Sequence, residues 1–429
     1  MNVQSLIALL RQSGADAWEM TVQTRQSWEF YFIGHRLDQN RALNVEHRHV
    51  RLYRRSGDGF IGSAGGEIPP SATPEEAKAA IAGYLRSAAG VRNPDYSLQP
   101  KGEPDDACEP LPSLAQMASD FIRLMQHLPE TENESVNSYE IFTGHVTTRY
   151  VNSEGVDRMR TAPQSMLEVV LNAREGAREI ELYRKMHLGL CDPESLRRRL
   201  SDALSYGKLK LAAQPTPALG RADVLFSGEA AATLFDFFAD RLSADYKVRG
   251  YSDWEIGQPI AECSGDRVTL TALRALPNSS KNAAFDAEGA PVRDTVLLED
   301  GVPRHFLGTR QFSQYMGLSD SFIPGNLAVS GGTHAEADLR KGPTLEVLEF
   351  SDFQVNPMNG DIAGEIRLAL WHDGEKTLPV SGGSLSGSMM DYMRQMRMTE
   401  ATEQLDDRLI PVLTRIDGVR VTGAESTLA

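Results

Sequence analysis

ADVLFSGEAAATLFDFFA, residues 222–239, changes its hydrophobic period in the middle. Val224, Leu225 and Phe226 form a short apolar run that suits a buried strand. Ser227 and Gly228 break the run. From Glu229 onward Ala230, Leu234, Phe237 and Phe238 recur at helical spacing. Ser227 is expected to be the N-cap, and Glu229 in the first turn complements the positive end of the helix dipole. The stretch therefore reads as a strand that turns directly into a helix.

Bulk composition bounds what surrounds it. A chain of 429 residues exceeds the usual size of one core and predicts at least two domains. The formal net charge of −15, with no long run of either sign, repels phosphate backbones, so no direct nucleic-acid partner is expected. Three cysteines, Cys108, Cys191 and Cys263, share no metal-ligand spacing and cannot all pair, so reduced thiols in a cytoplasmic protein are expected. Near the N-terminus Val3, Leu6, Ile7 and Leu10 follow helical spacing with no preceding Lys or Arg. This is a short amphipathic helix rather than a signal peptide. No apolar stretch is long enough to span a bilayer, so no membrane association is expected.

After Gly14 the period becomes two. Trp18, Met20 and Val22 predict one strand, Trp28, Phe30 and Phe32 a second, Leu43–Arg54 a third and Phe60–Ala64 a fourth. Gly57-Asp58-Gly59-Phe60-Ile61-Gly62 spells G-x-G-x-x-G, but a strand follows it where a dinucleotide fingerprint requires a helix. It is assigned to a hairpin turn. Thr73-Pro74-Glu75-Glu76 has the N-cap, N1 proline and capping-box glutamate of a helix start. Residues 92–112, rich in Pro and Asp, are expected to be a surface connection, followed by a helix over Leu114–Leu128. Strands are expected at Tyr139–Tyr150, Met166–Asn172 and Arg178–Leu182, then a helix capped by Asp192-Pro193 with Leu196, Leu200 and Leu204 on its buried face. Gln214-Pro215-Thr216-Pro217 is the best linker, which gives domains 1–213 and 221–429.

Past Thr233 the chain turns to short strands. Asp300-Gly301 and Asp373-Gly374 are hairpin dipeptides, and strands are expected near Thr269, Thr295–Leu298, Leu345–Val355 and Ile362–Leu370, with a last helix around Met389–Met398. The fold class is α+β: an N-terminal antiparallel sheet with helices, then a mostly antiparallel, partly closed, barrel-like β domain.

Several blocks follow one another along the chain: Asn152-Ser153-Glu154-Gly155; Phe285-Asp286-Ala287-Glu288-Gly289 with Pro291, followed by Val296 to Val302; Pro324-Gly325-Asn326-Leu327 with Gly331-Gly332; Gly360-Asp361-Ile362 with Gly364-Glu365-Ile366; and Pro379-Val380-Ser381 leading to Leu385-Ser386-Gly387-Ser388. In that order they resemble the TldD/PmbA (TldE) family, the "modulator of DNA gyrase" proteins. The resemblance covers nearly the whole chain, by pattern more than by residue over the first 130 residues.

The resemblance carries specific implications. The zinc-bearing TldD branch has His-Glu-x-x-x-His where this chain has Gly228, Glu229, Ala230, Ala231, Ala232 and Thr233. Two imidazoles there hold the metal and the Glu acts as general base. Only Glu229 survives, and no Cys follows Cys263 to supply the third ligand. The chain is thus similar to the PmbA/TldE branch, for which the family implies no metal, no cofactor and no catalytic residue. It also implies a role as partner of a TldD-like zinc protease subunit, or of a second copy, in proteolysis of small unfolded peptides. Asn326, within Phe322–Gly332, is the expected peptide-binding residue, because Pro324 and Gly325 let a backbone approach and Asn326 can donate and accept. Alternatives of other classes are a stand-alone peptide-binding homodimer, a regulator of gyrase-linked peptides, or a hydrolase with an unrecognised site. His47 and His49 share a strand face but have no third ligand nearby, and Ser381–Gly387 has no serine at the centre of G-x-S-x-G and is expected to be a flexible loop.

Overall fold

The computed structural model describes residues 1–102 and 110–424; Cys108 and residues 103–109 of the connection 92–112 lie outside the described residues. The chain opens with α1 (Val3–Arg11), capped by Asn2, whose side chain accepts from Ser5 N–H at 2.8 Å. Then come β1 (Ala17–Ile33), β2 (Arg36–Ser56), β3 (Phe60–Glu67), α2 (Pro74–Ala88), β4 (Asn93–Pro94), α3 (Leu114–Gln126), β5 (Glu134–Asn152), β6 (Asp157–Glu175), β7 (Arg178–Leu188) and α4 (Pro193–Ala212). The strands form one seven-stranded sheet in the order β4-β3-β2-β1-β5-β6-β7, antiparallel throughout.

The two strands expected at Trp18–Val22 and Trp28–Phe32 are one, β1, of 17 residues. Gln23–Ser27 is polar but holds no Gly or Pro, and both of its edges are paired, to β2 and β5, so nothing turns the chain until Gly34 at φ +54°. Helices cover one face of this sheet at its two ends. Leu6, Ile7 and Leu10 of α1 and Ala77 and Ile81 of α2 pack on Trp18, Met20, Val22 and Leu52. Phe121 of α3 and Leu196, Leu200 and Leu204 of α4 pack on Phe32, Ile141, Leu167 and Leu182. The predicted capping box is complete: Glu76 N–H donates to Thr73 Oγ1 and Thr73 N–H to the Glu76 carboxylate. The G-x-G-x-x-G run is the β2–β3 hairpin, with Gly59 at φ +83°.

The second half runs β8 (Gln214–Pro215), β9 (Gly220–Phe226), α5 (Gly228–Arg241), α6 (Ala244–Val248), β10 (Leu270–Leu273), β11 (Thr295–Glu299), β12 (Val302–Pro303), α7 (Arg310–Tyr315), β13 (Asn326–Val329), α8 (Glu336–Leu339), β14 (Thr344–Val355), β15 (Asp361–His372), β16 (Thr377–Ser381), β17 (Ser384–Ser388), α9 (Met389–Tyr392), β18 (Arg397–Met398), β19 (Thr402–Leu405), β20 (Arg408–Pro411) and β21 (Thr414–Thr422). Strands β14, β9, β21, β17 and β15 pair in turn, and β15 pairs back to β14, which closes a ring. Beside it stands a six-stranded sheet in the order β12-β11-β10-β13-β20-β19. The expected α+β architecture, with its partly closed β barrel, is the one observed.

Three local expectations differ. The Gln214–Pro217 segment is pinned: Gln214 and Pro215 pair with Val380 and Ser381. The Ser- and Gly-rich run after Ser381 is a turn, with Gly382 and Gly383 at φ +83° and +80°, that leads into the paired strand β17 rather than a loop. The last helix stops at Tyr392, because Arg397 and Met398 pair with β21 and Met398 N–H is held by Asp266 at 2.7 Å.

Helix α4 carries the cleft described below, and its seat on the sheet depends on Gly207. A Cβ there would stand 2.3 Å from Ala173 Cβ, whereas one at Gly83 of α2 meets only Arg86 Nη2 at 3.9 Å. The same substitution should therefore change sign between the two helices. Gly83→Ala should raise stability by roughly 0.5–1 kcal/mol from propensity alone. Gly207→Ala should lower it by about 1–2 kcal/mol, because overpacking outweighs that gain. Urea denaturation of both variants measures the contrast.

Candidate functional site

The chain leaves the barrel at Phe226 and must reverse into α5. It does so with Gly228 at φ +55°, in the left-handed region, with open space around a would-be Cβ. Backbone conformation, not crowding, favours glycine here. Ser227 occupies the cap position but makes no side-chain cap hydrogen bond, contrary to expectation. The cap comes from elsewhere: the Glu403 carboxylate, on edge strand β19, accepts the Gly228 N–H.

Two arginines of α4 complete this corner. Arg198 Nη2 lies 3.5 Å from Glu403 Oε2, and Arg199 Nη2 lies 3.3 Å from Glu229 Oε1. Helix α4, helix α5 and strand β19 thus meet through four charged side chains. They wall one side of a cleft of about 940 Å³. On another side Arg184 of β7 pairs with Glu349 of β14, which also meets Lys210 Nζ at 3.6 Å. On a third, Arg340 bridges Glu346 and Glu336 at 2.8 and 2.7 Å. Burial raises the pKa of Glu403; Arg198, the Gly228 N–H and Arg199 oppose that rise. Burial likewise raises Asp202, which Arg198 pulls down, and pushes Tyr206 up to about 12.

The cleft brings together Gly228, Glu229 and Thr233, and it excludes Asn326. Glu229 is 79% exposed at its side chain, while the Thr233 hydroxyl donates to the Glu229 carbonyl at 2.9 Å. Asn326 is 0% exposed. Its Oδ1 accepts from Ser279 Oγ at 2.6 Å and its Nδ2 donates to Asn282 Oδ1 at 3.1 Å. Strand β13 is paired on both sides, to β10 and β20, so it offers no free edge. Asn326 therefore braces the interior of its domain in this chain. Arg198, Arg199, Glu349 and Glu403 escaped the sequence reading. The Arg197-Arg198-Arg199 run between Leu196 and Leu200 was the one available signal; Glu403 offered none.

The arrangement does not fit the zinc that the family implies. Gly228 has no donor atom, the Thr233 hydroxyl is committed to its own helix, and Glu229 already faces a guanidinium. A dication at this point would meet the like charges of Arg198 and Arg199. Among the described residues no group of three or more His, Cys, Asp and Glu side chains is placed to hold a metal ion. The ring centroids of His47 and His49 lie 6.5 Å apart, and His47 Nδ1 contacts Glu67 at 2.7 Å. Cys191 and Cys263 are free, and burial pushes the Cys191 thiol up to about 12. Among the described residues, no helix is long and apolar enough to cross a membrane.

The fold and the cleft can now be set beside known proteins. Residues 219–423 match the family model of the PmbA/TldA metallopeptidase C-terminal domain. The second half of the chain is thus similar to the C-terminal domain of that family. Solved structures share its fold over the full length. TldE from Thermococcus kodakarensis is 17% identical with a TM-score of 0.76, over 98% of this chain and 100% of that one. A putative modulator of a DNA gyrase from Thermotoga maritima MSB8 is 16% identical, with a TM-score of 0.75 over 98% and 99%. Another, from Bacteroides thetaiotaomicron VPI-5482, is 16% identical, with a TM-score of 0.77 over 98% of both chains. No curated protein matches the chain.

The two carboxylates of the corner should differ in consequence. Glu229→Gln removes an exposed partner of Arg199 and should cost under about 1 kcal/mol. Glu403→Ala leaves Gly228 N–H and Arg198 without their acceptor and should cost about 1–3 kcal/mol. Thermal unfolding of both variants checks the order; equal losses would remove Glu403 from its capping role.

Proposed function

We propose that this chain is a subunit without chemistry of its own, which pairs with a metal-bearing member of its family and helps to receive extended, unfolded peptides. The observation that carries this reading is the corner at Gly228, Glu229 and Thr233, where Arg199 and Glu403 are bonded into the place that metal ligands would need. The cleft offers alternating cations and carboxylates and an edge strand, β19, that ends its sheet at the cleft wall. Such an edge accepts a peptide through main-chain hydrogen bonds with little demand on sequence. Residues 1–213 and 221–429 act as two domains in this reading, and the free thiols of Cys191 and Cys263 suit a cytoplasmic setting.

Size-exclusion chromatography with light scattering tests assembly. The chain should be at least a dimer, alone or with a metal-bearing relative, through an interface above roughly 1,000 Å². Purified and dialysed alone, it should hold no stoichiometric zinc by elemental analysis and turn over no peptide. Mixed with the metal-bearing relative it should support turnover that Glu229→Gln leaves unchanged. A monomer under both conditions removes the subunit reading, and one zinc per chain removes the premise beneath it.

A further inference from the structure

The two halves of the chain meet at a second place, away from the cleft, where acids face each other across the joint. From the sheet side, Glu19 of β1 accepts from Tyr53 Oη on β2 and from Tyr150 Oη on β5, both at 2.7 Å, and Arg51 of β2 stands 3.8 Å from it. From the other side comes the loop 284–292. Ala284 and Phe285 pack on Tyr150 and Val156. A Cβ on Gly289 would lie 2.7 Å from the Tyr150 ring, so the loop backbone is seated directly on the tyrosine. Asp286 ties the loop to itself, accepting from the N–H groups of Glu288 and Ala290 at 2.9 Å and from Ile323 at 2.7 Å.

Glu288 of this loop is half-buried. Its Oε2 accepts from Arg310 N–H, at the start of α7, at 2.6 Å. The Arg310 side chain turns away, donating from Nε to Ser97 O at 3.2 Å. The charged and titratable groups facing Glu288 are therefore Glu19, Arg51, Tyr96 and Tyr150 from the first half and Asp286 from its own loop. One backbone donor and one arginine oppose two carboxylates and a layer of tyrosines. A neutral acid suits this position better than a carboxylate does.

We propose that this joint is a proton-operated latch, in which Glu288 docks as the neutral acid and loosens the loop 284–292 and α7 from the sheet when it ionises. The direction agrees with the group's own titration: burial first, then Glu19 and Asp286, push Glu288 up to about 7 from an ordinary value of 4.5. The docked form then keeps a proton that the released form loses between those two values. Stability of the joint from this group is complete below about 4.5 and is lost as pH rises through 7.

Hydrogen–deuterium exchange of the full chain, corrected for intrinsic rates, tests the latch on peptides covering 284–292 and 310–316. Between pH 6 and 8 the opening equilibrium should rise about tenfold, the factor set by linkage for a group that titrates near 7 when docked. In Glu288→Gln, which keeps the shape and removes the charge, the same peptides should show no such rise. Glu19→Gln keeps one oxygen acceptor, leaves the other tyrosine hydroxyl to accept from the amide N–H, and should shrink the rise by removing the opposing charge. A flat or falling profile in the native chain overturns the proposal whether or not either variant folds, as does an unchanged rise in Glu288→Gln.

Discussion

Val224, Leu225 and Phe226 have no solvent exposure, and much of the second half is arranged to keep them so. Burying each is worth roughly 1.5–3 kcal/mol. Strand β9 achieves it by lying between β14, parallel, and β21, antiparallel, with the ring closed by β15. A strand so placed has no freedom at its end. The chain must leave the barrel after Phe226 and reverse at once, because Phe235, Phe237 and Phe238 of the next helix share the same core. The positive φ of Gly228 and the exposed donors of a helix start follow from that reversal. The cleft forms where those donors emerge.

What was legible in the sequence divides by range. The strand-to-helix switch at Ser227-Gly228, the capping box at Thr73 and the Asp300-Gly301 hairpin are written in adjacent residues, and each is observed. Gly228, Glu229 and Thr233 could be placed together for the same reason. The rest of the corner could not. Arg199 and Glu229 are separated by 30 residues and Arg184 and Glu349 by 165, and no local period announces such pairs. Ser227 makes no cap bond, and the helix start is instead met from afar: a carboxylate from β19 accepts the Gly228 N–H. Strand β1 was divided in two because alternation fades over Gln23–Ser27, although backbone pairing on both edges needs no alternation. Asn326 shows a different limit of local reading. Its residue type and neighbours suit a ligand loop, but only the strand order shows that β13 is enclosed.

The cleft's charges explain why a polar interior need not be a reactive one. Glu349 answers Arg184 and Lys210, Arg340 answers Glu336 and Glu346, and Glu403 answers Arg198. Pairs of this kind add little net stability once desolvation is counted, but breaking one leaves an uncompensated charge. They therefore fix geometry more than they strengthen the fold. A catalytic group needs the reverse condition, an unsatisfied charge or lone pair aimed at the place where bonds change. At the corner the Glu229 carboxylate already meets an arginine, and the Thr233 hydroxyl donates within its own helix.

The two halves are joined in two physically different ways, and the difference assigns them different roles. At the cleft, α4 reaches the second half through ion pairs whose side chains are partly solvated, such as Arg199 with the exposed Glu229. Such contacts weaken with salt and tolerate small displacements. At the loop 284–292 the contact is close-packed: Phe285 lies against Tyr150, and Gly289 leaves no room for a side chain beneath that ring. Close-packed surfaces resist gradual deformation and either hold or separate. With the joint intact, α4 can shift on its ion pairs while the sheet stays seated. Other contacts between the halves include the β8–β16 pairing and the Gly189 and Leu190 N–H groups, which both donate to Asn278 O at 3.0 Å. The packed joint lies apart from the cleft, and no residue of the loop 284–292 lines it.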